Sequence, residues 1–118
     1  MAKQTTATYS RITRHAVTLL GKQIRIARKE RKMTTQDLSD RAGISRGLLQ
    51  RIEKGNLKCQ IGAVFEVAIL VGLKLFDADE STLIARIRQA DDKIALLPKH
   101  IHPSKKVVDD DFYRERIQ

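Results

Sequence analysis

The sequence has little of what stabilises or equips many small proteins. It holds one cysteine, two prolines and no tryptophan in 118 residues, and aromatic residues make up only 4%. The single thiol, Cys59, excludes an internal disulfide and a cysteine metal cluster, and it suits a reducing cytoplasm. The longest apolar run, 67–73, is too short to cross a bilayer and no signal peptide is present, so we expect a cytoplasmic protein without a membrane partner.

Patterns typical of catalysis are also missing. There is no phosphate-binding glycine loop, and no Ser/His/Asp or Cys/His set has support from its surroundings. His100 and His102 are spaced like a metal pair, but a third and a fourth ligand are lacking. Asp91 and Asp92 fit a solvated helix face better than a catalytic pair. We therefore expect no enzyme, no cofactor and no bound metal.

Positive charge, by contrast, is plentiful and concentrated in one half of the chain. The net charge is +9 overall. Residues 1–58 hold 14 Lys and Arg against 4 Asp and Glu, a net of +10, whereas residues 59–118 hold 9 against 10. A one-sided basic excess is typical of proteins that bind a polyanion such as nucleic acid. The second half has room for a different partner.

The stretch from Thr34 to Gly55 has the pattern of two short helices joined by a tight turn. Thr34 and Asp37 can form a capping box, Gly43 can supply the positive φ that ends a helix, and Ser45 can cap the next one. The inward-facing residues have helical spacing in both segments: Leu38, Ser39, Ala42, Gly43, Ile44, Leu49 and Ile52. This arrangement predicts a helix-turn-helix.

The second helix of this pair has one face without apolar anchors. That face carries Arg46, Gly47, Gln50 and Arg51. Arg can bond both guanine acceptors in the major groove, and Gln can bond adenine in the same bidentate way. The alternative interpretation is an ordinary helical hairpin whose charged face is only solvated. The concentration of positive charge in this half of the chain argues against that alternative.

The same stretch resembles the lambda-repressor/Cro-like (XRE) helix-turn-helix family. The resemblance covers roughly Leu20 to Leu75. Its matching residues are Leu20-Gly21, Ile24-Arg25, Met33-Thr34, Leu38, Arg41-Ala42-Gly43-Ile44-Ser45, Leu49 and Arg51-Ile52-Glu53-Lys54-Gly55. The resemblance implies an all-α, five-helix lambda-repressor-like domain that binds double-stranded operator DNA as a homodimer. The chain departs from the family at Thr35, where Gln is usual, and Gln36 lies about 100° further around the helix.

Two sets of DNA-contacting residues are expected from the exposed face and the resemblance. Base readout is expected from Arg46, Gln50 and Arg51. Contacts to the DNA backbone, or support for the reading helix, are expected from Thr35, Gln36, Ser45, Gly47, Lys54, Asn56, Lys58 and Arg25. The resemblance implies the contacts of Lys54, Asn56 and Lys58, because the segment after the second helix meets the DNA backbone in XRE proteins.

The segment that follows is the most apolar of the chain and predicts a subunit contact. Residues 61–71 form a predicted helix that is apolar on most sides, which a domain this small can hardly cover alone. Residues 73–77 alternate between apolar and polar side chains. We expect either a short strand that pairs with its copy in a twofold dimer or an extended connector. The predicted dimer surface consists of Val67, Leu70, Val71, Leu73, Leu75 and Phe76.

Two further helices and two tails complete the predicted organisation. A first helix is expected over residues 11–32, and a C-terminal helix over residues 81–97. The C-terminal helix has apolar residues at 4-3-4-3 spacing, namely Leu83, Ile87, Ala90, Ile94 and Leu97. We expect this apolar face to pack on its own domain or across a dimer. The predicted divisions are a flexible arm (1–10), the helix-turn-helix domain with its dimer surface (11–77), a C-terminal helix (78–97) and a flexible tail (98–118). The arm either follows DNA or is a frayed terminus.

The tail carries the strongest indication of a protein partner. Asp109, Asp110 and Asp111 stand beside Phe112, which suits either a docking motif that orders on binding or a solvated tail. Together with the core, this tail is similar to HipB-like antitoxins. That similarity implies an autorepressor that partners a HipA-like kinase toxin. The alternatives are a phage-type repressor, a stand-alone XRE regulator, or a module that binds protein or RNA.

Overall fold

The computed structural model describes residues 8–103, which form an all-α fold. Five α-helices follow one another: α1 (Arg11–Glu30), α2 (Thr35–Ala42), α3 (Arg46–Glu53), α4 (Ile61–Leu70) and α5 (Glu80–Leu96), with a short 3-10 helix at Leu75–Asp77 before α5. The predicted fold class is therefore confirmed. None of the helices in the described part of the chain is long and apolar enough to cross a membrane.

The turn between α2 and α3 forms as the sequence predicts. The Thr34 hydroxyl accepts a hydrogen bond from the Asp37 N–H, and the Asp37 carboxylate accepts one from the Thr34 N–H, both at 3.0 Å. Gly43 ends α2 with a φ of 69°, a conformation that costs glycine little. The Ser45 hydroxyl then accepts the Leu48 N–H and caps α3. Local chemistry alone thus sets where both helices begin and end.

Helices α1 to α4 surround one hydrophobic core. Its fully buried members come from all four helices: Ile24, Leu38, Leu49 and Val67, each 0% exposed, with Ile52, Ala68 and Val71 beside them. Burying side chains of this size contributes about 1.5–3 kcal/mol each. The core therefore fixes α3 on its inward side and leaves its outward side to solvent.

Helices α1 and α3 cross at Gly21. A Cβ atom at this position would lie 2.5 Å from the Ile52 carbonyl oxygen and 2.8 Å from that of Glu53. Only a residue without a side chain allows the two backbones to approach so closely. The last turn of α3 therefore rests directly on α1.

The segment predicted as a strand is not one. Within residues 8–103 no strand forms, and Leu75–Asp77 is a 3-10 turn in which Phe76 and Asp77 adopt positive φ angles of 59° and 50°. The Ala78 N–H donates to the Leu75 carbonyl across that turn. Leu73 and Leu75 are half-buried against the core while Lys74 and Phe76 face solvent. Buried and exposed side chains do alternate over residues 73–76, but the alternation arises from a turn that folds over the core.

Two residues predicted at the dimer surface lie inside the protomer instead. Val67 is 0% and Val71 1% exposed, so neither side chain is available to a second copy. Helix α4 itself buries only Val67 and Ala68, while Ile61 and Ile69 are 69% and 53% exposed, so the described part of the protomer covers one side of it. Leu70, Leu73 and Leu75 are half-buried, and Phe76 is exposed.

Helix α5 differs from the other four in having no buried residue. Its first turn is well fixed, because the Asp79 carboxylate accepts the Thr82 N–H at 2.9 Å and the Arg86 guanidinium donates to the Phe76 carbonyl at 2.9 Å. Beyond Leu83, every residue of the helix is exposed. Its apolar stripe is therefore left open by the other residues that the structure describes.

Candidate nucleic-acid interface

The outward face of α3 displays the three side chains predicted to read bases. Arg46, Gln50 and Arg51 are exposed, while Leu49 and Ile52 on the opposite side are buried in the core. Two cationic side chains and one amide thus stand together on a helix whose orientation is fixed from behind. A helix of this width fits the major groove of B-DNA, where these side-chain types have matching base partners.

The Arg51 side chain lies over Gly47 on the outer surface of α3. A Cβ atom at Gly47 would lie 3.7 Å from Nη1 of Arg51, an ordinary van der Waals contact, so an alanine would fit here without displacing the guanidinium. The supporting role of Gly47 therefore stays a prediction.

The start of α2 contributes a polar edge beside α3. Thr35 is half-buried, and Gln36 is exposed with its amide donating to the Asp40 carboxylate at 2.8 Å. The hydrogen bond from the Thr34 N–H, followed by that from the Thr34 hydroxyl, lowers the pKa of Asp37. The bond to Asp40 orients the Gln36 side chain and uses one N–H of its amide, while the second N–H and the amide oxygen stay available to a nucleic acid.

The loop after α3 presents two lysines and one structural asparagine. Lys54 and Lys58 are exposed, as is Arg25 on α1. The Asn56 side-chain oxygen accepts the Lys58 N–H at 2.8 Å, which shapes the loop. Ser45 is likewise engaged as the cap of α3. Ser45 and Asn56 therefore hold the surface in shape, while the three basic side chains are free to meet phosphates.

A buried ion pair behind α3 was not anticipated from the sequence. The Arg28 Nε donates to Oε2 of Glu53 at 2.7 Å and its Nη2 to Oε1 at 3.0 Å, while Nη1 donates to the Met33 carbonyl at 2.9 Å. Both side chains are nearly buried, at 8% and 7% exposure. The pair joins the end of α1, the turn before α2 and the last turn of α3, and so fixes the angle of α3.

A signal for this pair was present in the sequence. Arg28 lies four residues after Ile24 and one after Ala27, which places it on the inward stripe of α1. The neighbouring cations Lys29, Arg31 and Lys32 are exposed, so charge alone does not distinguish Arg28 from them. Glu53 directly follows the buried Ile52, and its burial follows from the close crossing of α1 and α3.

The remaining predicted site residues lie outside the described part of the chain. The tail residues Asp109, Asp110, Asp111 and Phe112 fall beyond residue 103. In residues 8–103, no group of three or more His, Cys, Asp or Glu side chains could hold a metal ion.

Comparison with known proteins places this geometry in a family. A family model described as a helix-turn-helix domain matches residues 19–80, which include α2, α3, α4 and most of α1. No curated protein and no solved structure matches the chain. The match covers more than half of the 118 residues and includes every residue predicted above to contact DNA. The chain therefore belongs to the helix-turn-helix family of the XRE/lambda-repressor kind, whose helix pair binds DNA.

Proposed function

We propose that this protein is a sequence-specific transcriptional repressor that binds a palindromic operator as a homodimer. The observation that carries the proposal is the outward face of α3, where Arg46, Gln50 and Arg51 are exposed on a helix held by the core and by the Arg28–Glu53 pair. Rigid placement matters because base contacts depend on side chains held at fixed positions over the groove.

Base recognition and affinity come from different parts of the surface. Arg46, Gln50 and Arg51 discriminate between bases, at about 1–3 kcal/mol for each good bidentate pair. Lys54, Lys58 and Arg25 meet phosphates, which adds affinity without sequence preference and makes binding strongly salt-dependent.

Two copies are needed because one α3 offers few base-reading side chains. Gly47 contributes none, and the usual Gln position at the start of α2 holds Thr35. Two recognition helices spaced about 34 Å apart would contact successive major grooves on one side of the duplex. Occupying a promoter, its own included, would then block transcription.

The experiment compares binding to the DNA upstream of the protein's own gene with binding to a scrambled duplex, by fluorescence anisotropy. We expect Arg46→Ala and Gln50→Ala to reduce the preference for the natural duplex by about 5- to 150-fold, the equivalent of one lost base pair contact. Lys54→Ala and Lys58→Ala should weaken binding to both duplexes equally and reduce the salt slope by about one each.

Arg88→Ala is the matched control, since this arginine is equally exposed but lies on α5. It should leave the preference unchanged. Equal affinity of the unaltered protein for the two duplexes would contradict a role as a sequence-specific regulator of its own promoter. Unchanged preference in the Arg46 and Gln50 variants would move the base-reading site away from α3.

A narrower role as the antitoxin of a HipA-type kinase module rests on the resemblance of the core and of the tail around Asp109–Phe112. In that role the protein would bind a kinase toxin as well as DNA. Affinity purification of the full chain, expressed with the genes that adjoin its own, tests this role. Capture of a kinase-like neighbour that is lost when Asp109, Asp110, Asp111 and Phe112 are replaced by Ala would support it. Absence of any such partner would leave the stand-alone or phage-type repressor.

A further inference from the structure

Helix α5 is a long element whose apolar stripe has no cover among the described residues 8–103. Ile84, Ile87 and Ile94 are 46%, 60% and 65% exposed, and none of the helix's 17 residues is buried. Most helices in proteins are stabilised by packing of an apolar face rather than by helix propensity alone. A cover for the stripe would therefore stabilise α5.

Helix α1 carries a second apolar stripe of matching design. Ile12, Leu19 and Ile26 are 49%, 56% and 56% exposed and follow one another at seven-residue intervals. Residues seven apart lie almost in line along a helix, which is the repeat of helix-helix seams. This line is separate from the inward face of α1, where Ile24 and Leu20 meet the core.

Two shallow cavities with mixed polar and apolar linings lie between the two stripes. One shallow cavity is lined by Ile26 of α1 together with Leu73 and Leu75, and a second by the same two leucines together with Ile69 and Leu83. The leucines thus connect the α1 stripe to the first turn of α5.

We propose that a second copy of this chain covers both stripes, with α5 of each protomer lying along the Ile12–Leu19–Ile26 stripe of the other. The proposal rests on the homodimer of the proposed function and specifies its interface. It makes α1 and α5 the main contact, rather than α4, whose Val67 lies in the core of the protomer. Two unpartnered faces with the same repeat on one chain are self-complementary, as a twofold interface requires.

The available area fits a dimer. The half-exposed isoleucines and leucines of the two stripes present on the order of 500 Å² per protomer, and a standard interface buries roughly 800 Å² per partner. Leu73, Leu75 and the polar residues that border the stripes account for the remainder. Pairing of α5 with its own copy alone would cover only half of this apolar area, because the α1 stripe would stay in water.

Charge within and beside the stripes fits the α1–α5 pairing in a parallel orientation. Lys22 and Lys29 border one edge of the α1 stripe, three positions after Leu19 and Ile26, and Glu30 lies near the other. On α5, Asp91 follows Ile84 by seven positions and so lies within the stripe, with Arg88 further to the same side, and Lys93 lies on the other side. With the two helices parallel, Asp91 faces the lysines and Lys93 faces Glu30; an antiparallel pairing would bring like charges together.

The interface leaves the DNA-reading surface free. Neither stripe contains any of the residues expected to contact DNA, and α3 carries no residue of the stripes. A dimer joined in this way can present two copies of Arg46 and Gln50 at a fixed separation.

Cross-linking between two different variants of the full chain tests the pairing directly. One chain carries Leu19→Cys and the other Ile87→Cys, both with Cys59→Ser so that no other thiol reacts. The chains are mixed and treated with a short bis-maleimide, which tolerates small errors in register. We expect a cross-linked heterodimer in the mixture and little cross-linking of either variant alone. Efficient cross-linking of the Ile87→Cys variant alone would show α5 paired with α5 and overturn the proposal.

Sedimentation over a range of concentrations provides the second measurement. Leu19→Ser with Ile26→Ser, and separately Ile87→Ser with Ile94→Ser, should each weaken dimerisation by about 100-fold or more. Ile101→Ser is the matched control, because this isoleucine is 76% exposed but lies outside both stripes. A dimer that survives either double substitution contradicts the interface. Both tests need no DNA, so their failure is distinct from a failure of operator binding.

Discussion

The four helices α1 to α4 and the helix α5 are stabilised in different ways. The first four share buried side chains, a backbone crossing at Gly21 and the Arg28–Glu53 ion pair. Helix α5 is fixed by its cap at Asp79, by the Arg86 bond to the preceding turn and by the half-buried Leu83. One part of the chain is thus a packed body, and the other is a helix held at one end.

This difference separates two properties of the molecule. The orientation of α3, and with it DNA recognition, depends on contacts within the body. Self-association depends, under our proposal, on side chains that contribute almost nothing to the body. Substitutions can therefore be chosen that damage one property and leave the other measurable.

Arg28→Ala should have the largest effect. It leaves the Glu53 carboxylate nearly buried without its partner, and breaking a buried ion pair in this way costs about 3–5 kcal/mol. Urea denaturation should show a corresponding decrease in the free energy of unfolding, with weaker DNA binding because α3 loses its anchor to α1. Helix α5 should lose structure only to the extent that helices α1 to α4 unfold.

The double variant Arg28→Met with Glu53→Leu provides the control for that experiment. It removes both charges together, and replacement of a buried ion pair by apolar residues of similar size is often close to neutral. It should recover most of the lost stability. If the single and double variants are equally unstable, loss of packing volume rather than an unpaired charge is responsible.

The boundaries of the body could be predicted because short-range chemistry determines them. Thr34 with Asp37, Gly43 and Ser45 each act on groups within a few residues, so their types and spacing suffice. The exposed face of α3 followed from the same spacing, since a helix that buries Leu49 and Ile52 must expose Arg46 and Gln50. The boundaries of α2 and α3 and the exposed face of α3 could therefore be predicted from the sequence alone.

Paired Leu→Ala and Ile→Ala substitutions compare the two regions directly. Leu49→Ala removes a fully buried side chain and should cost about 2–5 kcal/mol. Ile87→Ala removes a side chain that is 60% exposed, and should cost less than about 0.5 kcal/mol in a monomer. Thermal unfolding of both variants at low protein concentration checks the contrast.

Raising the protein concentration sharpens the same comparison. The cost of Ile87→Ala should grow as dimers form, because the side chain then becomes buried, whereas the cost of Leu49→Ala should change little. A cost for Ile87→Ala that is large in the monomer would mean that α5 packs on its own body.

Long-range packing is what the sequence could not supply. Whether Val67 and Val71 face the core or a partner depends on how α4 lies against α1 and α2, which no local pattern records. The alternation over residues 73–77 fits a strand and a core-covering turn equally well. The sequence did not predict the second stripe of α1, formed by Ile12, Leu19 and Ile26, because the inward-facing residues already account for the helical periodicity of α1.

The smallest effect we predict concerns acid and the first turn of α5. The Thr82 backbone N–H, and after it the Thr82 and Ser81 hydroxyls, lower the pKa of Asp79 from 3.8 to about 2. A carboxyl with a lowered folded pKa stabilises the folded form above its unfolded pKa, and this contribution is lost as the pH falls from about 3.8 to about 2. NMR should show the Asp79 carboxyl titrating near 2, with the Thr82 amide losing protection in the same range. Asp79→Asn keeps a capping side chain without a titrating group, so its Thr82 amide should respond less to acid. An Asp79 that titrates near its ordinary value would mean that the cap, the main fixed point of α5, is not formed in solution.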